Sequence, residues 1–356
     1  LNTAIAHNFG FNKQTGVSSY GSFDGYFAET YFLDGQSIFS DTSGTINSTF
    51  LADATTLAMF CEQKNGIAVP KKYSSTFGNN GVKLTYADSS NIGNDTSGNG
   101  NDFTSSGLAS TDILPDSPTK NFPIMNFVNT NSNLNVSEGG LKIIPANTSD
   151  YYRAMSTMAV PTSGKWYWEV RLFVASYLYI FGLYDVESPN NQRASTISGD
   201  AFSGTNDYQV RTSNSLGIDI SNAGASFSDW LSTNIASGDI ISFAYDADNN
   251  KLWFGLNGTF QNTSGTANPA TGTDPRFSSM ASTQYYIGAN MPNPASGGAM
   301  FNFGQDDTFA GAISSSGNTD ANGAKFKYTP PSGFVGLNAS TSVSYTHLRA
   351  HETSAN

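Results

Sequence analysis

The chain has 356 residues, a formal net charge of −11 and only 13% charged residues, about half the usual share. Its 17 Lys and Arg are nowhere clustered, which excludes a phosphate-binding surface and with it nucleic acid as a partner. The single cysteine, Cys61, excludes an internal disulfide, and the lack of any long apolar run argues against membrane insertion.

Apolar residues at 38% suffice for a core. Abundant Gly, Ser, Thr and Asn alongside Phe and Tyr suit short strands joined by many turns. In residues 1–40, Phe23, Gly25, Phe27, Glu29 and Tyr31 alternate with Asp24, Tyr26, Ala28, Thr30 and Phe32, which is the period of a strand. The sheet that this segment would join is expected upstream of Leu1. The chain therefore reads as a fragment that opens on a truncated N-terminal β segment, poorly packed or leaning on the residues after it.

Residues 41–120 read as a connector. Phe50, Ala54, Leu57, Ala58 and Cys61 share one helical face, with Asn47 or Ser48 as cap, so a helix is predicted over 47–61. Short strands are predicted at 66–72 and 82–86. A Gly/Asn-rich loop is expected at 91–101, and three prolines make 114–123 an extended linker.

Residues 121–340 form the main body, organised around the strand predicted at 166–174. Trp166, Trp168, Val170, Leu172 and Val174 make one apolar face. Glu169 and Arg171 lie on the other face and read as a solvated surface pair. A hairpin is expected where Ile241, Phe243 and Tyr245 alternate before an Asp/Asn-rich turn and Leu252, Phe254 and Leu256 alternate after it. Further strands are predicted at 141–144, 177–184, 207–211, 216–220, 285–289 and 300–303. The connections 187–206, 221–237 and 259–277 read as long loops, where binding residues usually lie on a rigid scaffold. Residues 341–356 differ in character and hold two of the three histidines. They resemble translated sequencing-adapter read-through and are set aside from the fold.

Four blocks in order, Ser163–Val170 (SGKWYWEV), the segment 237–258 (SGDIISFAYDADNNKLWFGLNG), Phe301–Gln305 (FNFGQ) and the segment 326–338 (FKYTPPSGFVGLN), resemble the SPRY domain. The closing YTPPSGF is similar to that of phage and marine-virus structural proteins. Those also carry an SGNGND-type segment upstream, matched here by Asp95 to Asp102. FDGYFAETYFLDGQ at 23–36 resembles the last strands of a laminin-G-like domain. The resemblance implies an all-β chain of concanavalin-like jelly-roll β-sandwiches and no catalytic residues.

Few residues could carry chemistry. With residues 341–356 set aside, His7 is the one remaining histidine, which leaves nothing for a Ser-His-Asp or Cys-His device or a histidine zinc site. A glycosidase needs two carboxylates about 5–9.5 Å apart, and the nearest grouping is Asp185 with Glu187. Asp95, Asn99, Asn101 and Asp102 offer oxygens that calcium accepts, although Asx turns explain the same composition. No other cofactor is expected. The candidate ligand-binding residues are Trp230 and Tyr208, with Phe227, Asp229, Arg193 and Arg211 adding contacts: aromatics among polar loop residues can stack on a sugar or peptide. These features predict a non-enzymatic structural or adhesion protein on the surface of a phage virion. It would meet a host-surface glycan or protein and other virion proteins, with homo-oligomers as one form. The alternatives are a polysaccharide-degrading enzyme on a concanavalin-like fold and a ligand-free decoration or scaffold module.

Overall fold

A computed structural model describes residues 11–12, 21–22, 27–35, 58–64, 67–117, 120–128, 130, 132–146, 152–174, 179–187, 206–213, 217–222, 228–231, 235–262, 265, 267–291 and 297–341. The strands of the N-terminal part are β1 (Phe11–Asn12), β2 (Gly21–Ser22), β3 (Thr30–Phe32), β4 (Cys61–Lys64), β5 (Ile67–Pro70) and β6 (Val82–Leu84). They pair as β1 with β2, β3 with β6 and β4 with β5. The partner of β3 thus lies downstream, so this segment leans on the connector. Tyr31, Phe60, Tyr73 and Phe77 pack ring against ring beneath it. Most of the predicted helix at 47–61 lies outside the described residues. Residues 58–60 are helical, but Cys61 starts β4 instead of closing a helical face.

The body contributes β7 (Leu134–Ser137), β8 (Lys142–Pro145), β9 (Tyr152–Val160), β10 (Lys165–Leu172), β11 (Tyr179–Asp185), β12 (Tyr208–Ser213), β13 (Gly217–Asn222) and β14 (Ser228–Leu231). It continues with β15 (Ile240–Asp246), β16 (Lys251–Leu256), β17 (Thr259–Phe260), β18 (Tyr285–Met291), β19 (Ala299–Asn302), β20 (Asn318–Thr319), β21 (Lys325–Phe326) and β22 (Val335–Gly336). One sheet runs β17-β16-β15-β10-β19-β8-β7, with β22 added parallel to β10; the other runs β14-β13-β12-β11-β18-β9. All other pairings within these two sheets are antiparallel. Rings from the two sheets meet edge to face, Phe181 on Phe301 at 5.9 Å and Tyr245 on Tyr285 at 5.9 Å. The body is therefore a β-sandwich closed over an aromatic core.

The predicted strand at the centre is β10. Trp166, Trp168, Val170 and Leu172 are all fully buried on its inner face, where Trp168 stacks on Phe243 at 4.9 Å. The hairpin β15–β16 turns on Asp246, whose carboxylate accepts the Asn249 backbone N–H and Nδ2, and on Asn250 in the left-handed region at φ 53°. Three strands of four or more residues in the body are not legible in the sequence. The stretch 152–160 mixes polar and apolar residues because its Arg153 and Ser156 are buried with the rest of β9. The strand 134–137 is a short edge, and β14 lies inside a segment expected to be loop.

Glu169 and Arg171 are not the solvated surface pair that their alternation suggests. Glu169 is fully buried. Its Oε1 accepts the Tyr328 N–H at 2.8 Å and the Tyr167 hydroxyl at 2.9 Å; its Oε2 accepts the Lys327 N–H at 2.9 Å and Asn302 Nδ2 at 3.4 Å. Arg171 instead places its guanidinium over the Phe173 ring at 5.8 Å. The outer face of β10 is covered by the closing segment, where Phe326 meets Tyr167 edge to face at 4.8 Å and Phe334 meets Trp253 at 6.3 Å. A strand buried on both faces carries polar residues only where they are fully bonded. Thr341, grouped by its sequence with the tail, is also buried and bonds back to Gly336 and Asn338. Residues 342–356 lie outside the described residues.

Trp166→Ala is expected to cost about 3–5 kcal/mol in urea denaturation, because it removes a large fully buried side chain. Burial lifts the Glu169 carboxyl to about 7, against its four donors. The folded state thus keeps a proton that the unfolded chain releases near the ordinary value of 4.5. Its contribution to stability is full below that value and is lost as pH rises through about 7, by no more than roughly 3 kcal/mol. Denaturant midpoints of the wild type and Glu169→Gln at about pH 4.5 and 7.5 test this: the drop between the two pH values should be smaller in the variant.

Candidate functional site

The candidate ligand residues fall around the edge of the six-stranded sheet. Trp230 and Asp229 lie on β14, the last strand of that sheet, and not in a loop. The ladder between β13 and β14 pairs Ile218 with Leu231 and Asp219 with Asp229, with a register shift between the two pairs. Trp230 is therefore the extra residue of a β-bulge on an edge strand. Bulges concentrate at sheet edges and re-aim the bulged residue relative to its neighbours. Arg211, on β12, is half-buried and stands opposite Asp219 in the ladder. The topology thus brings Arg211, Asp219, Asp229 and Trp230 into three adjacent strands. Phe227 and Arg193 lie outside the described residues.

Tyr208 does not belong to this group as a contact residue. It alternates in phase with Val210 and so faces the interior of the sandwich, with 5% of its surface exposed. Its ring meets Phe277 at 5.1 Å and Tyr285 at 6.0 Å, both edge to face, and its hydroxyl accepts the Ala281 N–H at 3.0 Å. A tyrosine at a strand start is expected at the rim, but the polar residue before it, Asp207, is itself fully buried.

The loop holding Asp95, Asn99, Asn101 and Asp102 is held together by hydrogen bonds. Asp95 Oδ1 accepts the N–H groups of Lys83 and Ser97, both at 2.9 Å. Its Oδ2 accepts the Ser97 hydroxyl at 2.8 Å and the Asn101 N–H at 2.9 Å. Burial would raise this carboxyl, but these donors outweigh it and hold it below the usual carboxylate range. Asp102 Oδ1 accepts the Asp95 N–H at 2.8 Å. Asn99 and Asn101 turn their amide nitrogens, which are donors, toward the Gly81 carbonyl. Among the described residues no group of three or more His, Cys, Asp or Glu side chains is placed to hold a metal ion.

The Asp185 carboxylate accepts from Asn206 Nδ2 at 2.8 Å, the Glu187 N–H at 3.0 Å and the Thr283 hydroxyl at 3.2 Å. Asp185 is buried, whereas Glu187 is exposed. Asp207, fully buried, accepts the Asp185 N–H at 3.0 Å. These carboxylates bond the end of β11 to the residues that flank β12 and to Thr283. The same holds at the start of the closing segment, where Asp306 and Asp307 bind the local backbone and the Thr308, Ser315 and Ser316 hydroxyls. The buried acid that sequence reasoning placed on the surface, Glu169, had no local signal, since both of its backbone donors are about 160 positions away.

No family model matches the chain, and no curated protein matches it. Among solved structures the chain is similar to the SPRY domain of human HERC1, at 13% identity and a TM-score of 0.36, over 50% of this chain and 96% of that one. It is similar to the TRIM65 PSpry domain at 14% identity and a TM-score of 0.36, over 51% of this chain and 91% of that one. It is also similar to stonustoxin at 13% identity and a TM-score of 0.37, over 50% of this chain and 28% of that one.

Asp95→Ala is expected to lower stability by about 1–3 kcal/mol, since three buried or partly buried N–H groups lose their acceptor. Calcium is expected to leave the melting temperature of the wild type unmoved. A rise of several degrees on adding calcium, reversed by a chelator, would show that the ion displaces these donors.

Proposed function

We propose that this protein is a non-enzymatic structural or adhesion component of a virus particle, of the phage type, whose SPRY-like sandwich meets a host-surface glycan or protein at its rim. The observation that carries the reading is the bulged Trp230 on the edge strand β14. A sandwich whose interior is filled by stacked rings and whose described buried acids are bonded to protein donors has its recognition chemistry at edges and loops. The placement on a particle is supported by the closing YTPPSGF and by the segment from Asp95 to Asp102, both similar to viral structural proteins. With a net charge of −11 the surface favours hydrogen bonding and stacking over ion pairing, which suits uncharged sugars better than phosphate polymers. Affinity at one site would be weak. Many copies on a particle, held by other virion proteins or by self-association, would supply avidity.

The test is binding of a multimerised full chain to host cells and to a glycan array, compared with Trp230→Ala. The variant is expected to keep its melting temperature and to lose most of the binding. Equal binding by both proteins would remove Trp230 from the site, and no binding by either would favour the ligand-free scaffold.

A further inference from the structure

A cleft of about 490 Å3 lies in the small unit ahead of the sandwich, between the turn at 73–79 and the pair Ser97 and Asn99. Two aromatic residues, Tyr73 and Phe77, line it. Tyr73 is buried against Phe60 at 5.3 Å and Phe77 at 5.1 Å, and half-buried Phe77 stacks on Tyr31. Its walls carry hydroxyls and amides, with Ser75, Thr76 and Asn79 on one side and Ser97 and Asn99 on the other. None of the lining residues is charged.

The walls are pinned in place by the protein itself. Asn99 Nδ2 donates to the Gly78 carbonyl at 2.6 Å and to the Gly81 carbonyl at 2.9 Å, tying one wall to the other. The Asp34 carboxylate accepts the Asn80 N–H at 3.0 Å and Asn80 Nδ2 at 2.9 Å, which holds the turn from behind. Gly78 sits at φ +74°, and a Cβ there would lie 2.3 Å from the Asp34 carbonyl oxygen. The turn therefore closes against the end of β3 only because this residue is glycine. A cleft held in this way has less ordering cost to meet when a ligand enters.

We propose that this cleft binds an uncharged saccharide. A sugar ring offers C–H groups to an aromatic surface and hydroxyls to polar side chains, which matches half-buried Phe77 and the exposed Ser75, Thr76 and Asn79 of the lining. An apolar ligand would take the exposed polar side chains out of water and offer them no hydrogen bond in its place. An anionic ligand would find no cation in the lining of a protein with net charge −11. The site is separate from β14 and stands or falls apart from the reading of Trp230.

The experiment titrates the full chain with maltohexaose, cellohexaose and mannohexaose by calorimetry, with polygalacturonate as an anionic comparison, and follows backbone amide shifts of residues 73–79 by NMR. At least one neutral oligosaccharide is expected to bind and to move those amides. Ser75→Trp and Asn79→Trp, both at exposed positions, are expected to keep the melting temperature and to weaken binding more than about 10-fold by filling the cleft. Trp230→Ala should leave this binding unchanged. The proposal is overturned if no neutral oligosaccharide binds, if binding leaves the 73–79 amides unmoved, if both tryptophan variants bind as the wild type does, or if polygalacturonate binds in preference.

Discussion

Glu169 is the point on which the body of this protein closes. It sits in the middle of β10, the strand that holds β15 on one side and β19 and β22 on the other. Its carboxyl faces away from the sandwich interior, toward the closing segment. There it accepts the N–H groups of two consecutive residues, Lys327 and Tyr328, and is braced by Tyr167 and Asn302. A buried acid is costly unless its oxygens are bonded, so the segment from Phe326 to Leu337 has to be seated for β10 to be seated. Tyr167 in turn bonds Ser242 on β15 at 3.0 Å, and Asn302 accepts the Gly304 and Asp306 N–H groups with Oδ1. One carboxyl thus links three strands of the large sheet to the chain that covers them.

That closure explains why the large sheet is buried on both faces. The inner face meets the six-stranded sheet through Phe301 on Phe181 and Tyr245 on Tyr285, while the outer face meets Phe326 and Phe334. Gly304 belongs to the same device. It takes φ +118° where a Cβ would come within 2.6 Å of Ala324, so the turn after β19 can run directly beneath the closing hairpin. Gln305 completes the corner by donating to the Pro123 carbonyl and accepting the Phe303 N–H. With its interior and one outer face filled, the body leaves its edge strand and its loops for recognition. The unit ahead of it, built on a smaller aromatic cluster, keeps a polar cleft.

The connector is tied to this closure and does not hang free of it. Lys325 Nζ donates to the Ile113 carbonyl and Lys120 Nζ to the Asn322 carbonyl. The closing hairpin β20–β21 therefore touches the linker as well as β10. The Asp95 network performs for the small unit what Glu169 performs for the large one. One carboxylate there satisfies the N–H groups of Lys83, Ser97 and Asn101, three positions spread over 19 residues.

Strand periods, turn chemistry and the aromatic core were determined by the sequence alone. Alternation in 166–172, 240–246 and 252–256 identifies strands because a pleat sends successive side chains to opposite faces. The Asp/Asn run between β15 and β16 identifies their turn because those side chains bond the local backbone. Tertiary structure alone decided which side of each strand meets water. Glu169 and Arg171 look alike in a two-residue period, yet Lys327 and Tyr328 arrive to bond one of them and not the other. Tyr208 and Trp230 both looked like rim aromatics. The phase of β12 sends Tyr208 inward, and a one-residue register shift against β13 makes Trp230 the bulge. Burial and register depend on partners brought together from distant positions, and the local pattern of a strand carries no record of them.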